Sequence, residues 1–343
     1  MEMRTLGGTG IKVSPLCFGA MMLGAWGTRD HDESVRILHR ALDAGINFVD
    51  TADVYSAGES EEIVGKALAS IDRSKVVLAT KVHGTMGADP NEQGNSRRWI
   101  IAECENSLRR LGTDYIDLYQ IHRPDPTVDV DQTLGALTDL VRAGKIRAFG
   151  SSTFPAEQIV EAQWVAERRG RERFMTEQPP YSLLVRGIER DVLPVVQTYG
   201  MGVLSWSPLA GGWLSGRFGA GRENTSRRSA MIPDRYDLSL PANKLKLELV
   251  TALGALADDA GLTLVELALA FVLEHPAVTA AIIGPRTMEQ LESQLGAPSV
   301  GLEESVLDRI DEIVPPGTNV NAADTGWTPP ALADSSLRRR HSA

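Results

Sequence analysis

Along the chain, short apolar runs alternate with stretches in which apolar residues recur every three or four positions. The first pattern fits strands and the second fits amphipathic helices. Eight runs read as strands: 16–19, 46–50, 76–80, 115–121, 146–150, 174–178, 202–206 and 278–283. Helical periodicity fills the intervals, over 33–44 (ending at Gly45), then ESEEIVGKALA, RRWIIAECENSLRRLG, DQTLGALTDLVRAGKI, PAEQIVEAQWVAERRG and 188–199. Two helical segments, 243–260 and 263–274, precede the last strand, and TMEQLESQLGA follows it. Ahead of the series, RTLGGTGIKVSPL reads as two extended pieces around a Gly-rich turn, a hairpin by its turn chemistry.

Strands alternating with helices pair in parallel through right-handed crossovers. Eight such units predict an α/β (β/α)8 TIM barrel with an N-terminal β-hairpin and long loops at the C-terminal face. A doubly wound open sheet is the alternative, but GGTGIKV lacks the third glycine of a nucleotide-binding turn. All of residues 1–343 are expected to form one domain, with the barrel over about 14–300 and a C-terminal helix and tail over 301–343. Three stretches exceed ordinary loop length: 82–96, 207–242 and the tail from Pro315. On a compact barrel such excursions serve as lids or substrate walls. The terminal RRRH reads as a solvated tail.

Composition narrows the partners. Hydrophobic residues make up 43% and charged residues 23%, as in ordinary globular proteins. A formal charge of −10 argues against nucleic acid as a partner, although a local basic pocket could still hold a small anion. Cys17, Cys104 and the six histidines show no metal-ligand spacing, so no metal is expected. No apolar run approaches the ~20 residues that span a bilayer, and MEMRTLGGTG lacks the apolar core of a signal peptide. A cytoplasmic protein acting on a small molecule, with no membrane partner, is the expectation; its oligomeric state is not legible.

Chemistry on a barrel of this kind sits where the strands end and the βα loops converge. Four residues there are unusual: Asp50 at the end of the second strand, Tyr55 in its loop, Lys81 at the end of the third, and His122 at the end of the fourth. Each alone has a structural explanation as a cap, a packed ring or a solvated cation. Adjacent strands bring them to one pocket, and the set has a chemical logic. Free tyrosine titrates near ~10, and an ammonium within hydrogen-bond reach favours its phenolate. Asp50 would keep the buried Lys81 charged, and His122 would position a carbonyl oxygen or relay a proton. Tyr55 then becomes a tuned acid aimed at a carbonyl, with the electrons left to a cofactor.

From residue 3 to 315 the sequence resembles the aldo-keto reductase family, through GINFVDTADVY, VVLATK, DYIDLYQIHRPD, GSSTF, EQPPYSLL, WSPLAGGWLSG and IIGPRTMEQLESQ in the family's order. The resemblance implies NADP(H)-dependent reduction of an aldehyde or ketone, with Asp50, Tyr55, Lys81 and His122 catalytic and Tyr55 the general acid. It also implies cofactor contacts from Met21, Asp50, Ser152, Thr153, Gln178, Trp206, Ser207, Leu209, Gly211, Arg217, Gly284, Arg286, Gln290 and Gln294. Ser152, Thr153 and Gln178 would hold the carboxamide, and Trp206 would stack on the nicotinamide. Arg217 would meet phosphate, with Arg227 and Arg228 as weaker candidates. Arg286 would select NADP(H) through the 2′-phosphate, and Gln290 and Gln294 would contact adenosine. Thr153, Ser293 and Gln294 depart from the family's usual residues. The substrate wall is expected from Met22, Trp26, His83 and Trp213, with Met21 and Trp327 nearby. The family also contains potassium-channel β-subunits, which share Trp206, Ser207, Pro208 and Leu209, so a cofactor-binding regulator with little turnover is the alternative. His122 favours the enzyme, because those subunits can depart from histidine there.

Overall fold

The structure, a computed structural model, describes residues 1–218, 229 and 232–340. Eight parallel strands close a barrel: β3 (Leu16–Gly19), β4 (Phe48–Asp50), β5 (Val77–Val82), β6 (Ile116–Ile121), β7 (Ile146–Ser152), β8 (Thr176–Gln178), β9 (Gly202–Ser205) and β10 (Val278–Ile283). Their order round the barrel follows the chain, and β10 closes it by pairing with both β9 and β3. β1 (Arg4–Thr5) and β2 (Lys12–Val13) form the expected antiparallel hairpin. Its Leu6 and Val13 are fully buried with Cys17, Phe48, Ala79 and Leu118, so the hairpin plugs the N-terminal end with apolar side chains.

The larger apolar layer lies between the strands and the surrounding helices. Each Leu, Ile or Phe buried there stabilises the fold by about 1.5–3 kcal/mol relative to exposure. Residues 59–68 and 97–111 form neighbouring helices at close range. A Cβ on Gly65 would stand 2.7 Å from Arg110 O, so any side chain there would force the two helices apart. Among the described residues, no helix is long and apolar enough to cross a membrane.

Most boundaries follow local chemistry. The first helix begins at His31 rather than 33, because Asp30 accepts hydrogen bonds from Asp32 N and Glu33 N as an N-cap. The helix expected over 188–199 shortens to Val192–Thr198 behind a separate turn at Gly187–Glu189. There Asp191 takes the Val192 N–H and restarts the chain, and Pro194 fits the first turn, where no N–H is needed. Pro241 likewise opens the helix Pro241–Asp259 two residues before the periodicity shows it. β5 runs on to Val82, so Lys81 lies inside this strand and not beyond its end.

A polar cluster at the C-terminal mouth

Alternation along β4, β5 and β6 sets the inner face of the barrel. Phe48, Ala79 and Leu118 form its apolar floor, and two residues on, Asp50, Lys81 and Gln120 follow on the same face. The register sets Asp50 beside Ala79 and Lys81 beside Gln120. Lys81 is fully buried and Asp50 is 2% exposed. Lys81 Nζ donates to Asp50 Oδ2 at 2.6 Å, to Thr51 O at 2.7 Å and to Tyr55 Oη at 3.2 Å. Burial opposes the charge on Lys81, but Asp50 and Tyr55 outweigh it and hold the ammonium above its usual range. Gln120 Nε2 and Gln178 Nε2 each donate to Asp50 Oδ1 at 3.0 Å. Gln120 was not among the expected site residues. Its signal was available, since the period of two that puts Leu118 inside puts Gln120 inside as well.

Tyr55 and His122 complete the cluster. The His122 ring meets the Tyr55 ring edge-on, with centroids 5.6 Å apart and planes at 79°. Its backbone N–H donates to Val82 O, which keeps the residue level with the end of β5. Burial, and then the charges of Lys81, Arg123 and His83, hold its imidazole well below the usual histidine range, so it is neutral at pH 7. Tyr55 is followed by Ser56 and Ala57 at φ 51° and 57°, left-handed backbone without glycine. Ser56 Oγ accepts from Trp26 N and donates to Leu23 O, tying this loop to the one after β3.

The expected cofactor residues divide. Ser152 and Thr153 follow one another at the end of β7, and Trp206 Nε1 donates to Thr153 Oγ1 at 3.3 Å. Gln178 Nε2 gives its hydrogens to Asp50 Oδ1 and Gln120 Oε1, both at 3.0 Å, so only its oxygen is left for a carboxamide. Ser207, Ala210 and Gly211 have left-handed backbone and bend the loop after β9, where Ser207, Leu209 and Gly211 are half-buried. Arg217 is exposed at its far end, whereas Arg227 and Arg228 lie outside the described residues. Gln290 Oε1 accepts from Arg286 N at 2.9 Å and so is committed to the turn that starts the helix Met288–Leu295. Gln294 is buried, and its Oε1 has no donor among the described residues.

On the substrate side, Trp26 stands 5.9 Å from the Tyr55 ring, and Met21 is half-buried. His83 and Trp327 line one cleft of about 400 Å³. Two expected wall residues are corrected. Met22 is 8% exposed under the turn where Thr28 N bonds to its carbonyl. Trp213 is 1% exposed, packed against the Phe218 ring at 4.2 Å, the Tyr236 ring at 5.9 Å and Lys246 Nζ at 5.4 Å.

Comparison with known proteins agrees with the barrel fold. The family model described as "Aldo/keto reductase family" matches residues 15–315. An uncharacterized oxidoreductase, YrpG of Bacillus subtilis (strain 168), is 41% identical over 97% of this chain and 100% of its own. A putative voltage-gated potassium channel subunit beta of Schizosaccharomyces pombe (strain 972 / ATCC 24843) is 37% identical over 91% of this chain and 92% of its own. The aldo-keto reductase YhdN of Bacillus subtilis (strain 168) is 37% identical over 85% of this chain and 87% of its own.

Proposed function

Since the chain belongs to the aldo/keto reductase family, we propose that it is an NADPH-dependent reductase that converts an aldehyde or ketone to an alcohol. The observation that carries this reading is the Lys81 ammonium, 2.6 Å from Asp50 Oδ2 and 3.2 Å from Tyr55 Oη. Bound NADPH would supply the hydride for the carbonyl carbon. Tyr55 protonates the carbonyl oxygen, and Lys81 stabilises the phenolate left behind. Asp50 keeps that lysine charged, with Gln120 and Gln178 holding its second oxygen in place. Neutral His122 orients the carbonyl oxygen as a hydrogen-bond donor.

The residues at the mouth fit a dinucleotide. The undonated amide oxygen of Gln294 suits an adenine amino group. At Gly284 a Cβ would meet only Gly19 O, 3.9 Å away, which leaves room for a ligand. Trp206 would stack on the nicotinamide, and Arg217 and Arg286 would take phosphates, Arg286 the 2′-phosphate. A cytoplasmic setting belongs to the same proposal, since both cysteines are buried and free.

Tyr55→Phe should retain NADPH binding and lose at least ~10²-fold in reduction, the scale of a lost general acid. Normal turnover in that variant would remove Tyr55 from the mechanism. The relatives named as channel β-subunits support a second reading, a cofactor-binding regulator. Purified protein that binds NADPH tightly, yet oxidises none of it across a broad aldehyde and ketone panel, would favour that one.

A further inference from the structure

The cleft of about 400 Å³ beside His122 is basic, although the chain as a whole carries −10. Its walls include His83, Arg123, Arg235, Thr325 and Trp327. Arg123 follows His122 directly, so its anchor point is one residue from the reaction centre. The Arg123 guanidinium donates to His122 O at 2.5 Å and lies 6.0 Å from the Trp206 ring. Among the described residues no carboxylate comes within ion-pair distance of it. A guanidinium carries several N–H donors in a planar fork, and leaving them unused in a half-buried position is costly. Arg235 is only loosely matched, 3.6 Å from Asp324, and that carboxylate already pairs with the buried Lys246. Arg235 and Lys246 therefore share one carboxylate, and Arg123 has none. His83 is fixed with its Nδ1–H on Asn95 Oδ1, because Asn95 Nδ2 donates to Arg123 O.

This charge is not placed to serve the cofactor phosphates. Arg286 follows β10 and Arg123 follows β6, and these strands stand opposite one another in the barrel order. The cleft is also large enough for a small organic ligand.

We propose that the cleft receives a carboxylate carried by the substrate, so that the protein reduces carboxylate-bearing aldehydes or ketones, with Arg123 as the anchoring residue. This rests on the reductase reading above. The anion is unchanged in the reaction: the carbonyl carbon gains the hydride, its oxygen gains the Tyr55 proton, and the reduced nicotinamide is the reductant. The tail is part of the site, because Thr325 and Trp327 close the cleft and Asp324 ties them to Arg235 and Lys246.

The test compares 4-formylbenzoate with its methyl ester, using full-length protein and NADPH. The acid should be favoured in kcat/KM by about tenfold to a hundredfold, the range of a charge-assisted hydrogen bond, and mainly through KM. Arg123→Met should cut the acid-to-ester ratio at least tenfold, and Arg123→Lys should restore part of it. Calorimetric titration of the NADP+-saturated protein with terephthalate, which cannot be reduced, gives a readout free of turnover. It should show binding that weakens at least tenfold in Arg123→Met, with terephthalamide as the neutral control. A wild-type preference for the ester, or an unchanged ratio in a folded Arg123→Met, overturns the proposal. Ester reduction without terephthalate binding removes the carboxylate site and leaves the reductase standing. Arg123-dependent terephthalate binding with no reduction of either aldehyde does the reverse.

Discussion

Removing the charge of Lys81 tests the cluster more sharply than removing the phenol. In Lys81→Met the apolar stem is roughly preserved, and Asp50 is left 2% exposed with two amide donors at 3.0 Å as its remaining side-chain partners. An isolated carboxylate in that position costs about 3–5 kcal/mol, the scale measured for breaking a buried pair from one side. Against a typical total of about 5–15 kcal/mol the variant remains folded but is markedly weakened. Asp50→Asn leaves the opposite orphan, a fully buried ammonium held only by Thr51 O and Tyr55 Oη. The double variant removes both charges, and the amide oxygen introduced by Asp50→Asn can still accept from Gln120 and Gln178. It should therefore be more stable than the two single losses imply, with a coupling of at least ~2 kcal/mol. Urea unfolding followed by tryptophan fluorescence and circular dichroism measures this, provided the two transitions coincide. Turnover cannot replace that measurement, because all three variants of the cycle should lose reduction. Additive costs, within about 0.5 kcal/mol, would refute the claim that Asp50 exists to hold the lysine charged.

Two further outcomes follow. Glu177 is fully buried, and burial pushes its carboxyl up to about 7 against the hydrogen bonds from Ser151 Oγ and Phe154 N. Since the folded protein holds that proton more tightly, the stability it carries at low pH is lost as pH rises from about 4.5 through about 7. Glu177→Gln should therefore match the wild type in thermal denaturation near pH 4.5 and exceed it by up to about 3 kcal/mol at pH 8; an equal gap at both pH values would contradict the assignment. Arg286→Ala should weaken NADPH at least tenfold while changing NADH by less than about threefold, and equal losses for both cofactors would exclude a 2′-phosphate role.

Most of the barrel was legible because its signal is local. An apolar run for each strand and a period of 3.6 for each helix recur along the chain, and on the inward face polar residues break the apolar runs at one end. Lys81 was expected just past its strand because an ammonium looks like a terminator. It lies within β5 because the ladder to Gln120 continues past it and the charge has Asp50 as a partner. Gln120 was missed for the same reason in reverse, as a polar residue hidden in an apolar run. The remaining errors came from contacts between distant segments. Trp213 looks like a pocket wall until Phe218 and Tyr236 stack on it. The tail's place over the mouth depends on Asp324 meeting Lys246 and on Asn321 meeting Asn243, neither of which leaves a trace in sequence spacing.

The two ends of the barrel divide stability from reactivity. At the N-terminal end the hairpin buries Leu6 and Val13 on an apolar floor of Cys17, Phe48, Ala79 and Leu118. At the other end lie the positive-φ residues that are not glycine among those described: Ser56, Ala57, Thr153, Ser207 and Ala210. Each costs on the order of 1–3 kcal/mol, and such strain persists only where neighbours over-determine it. The hydrogen bonds that hold them are Trp26 N on Ser56 Oγ, Trp206 Nε1 on Thr153 Oγ1, and Ala210 N on Ser207 O. Because the Tyr55 loop is held by the loop after β3, and the Thr153 and Trp206 loops by each other, loosening one member of either pair should move its partner. The buried Asp50–Lys81 pair is fixed from below by the strands, so it supplies a rigid reference against which those loops are set.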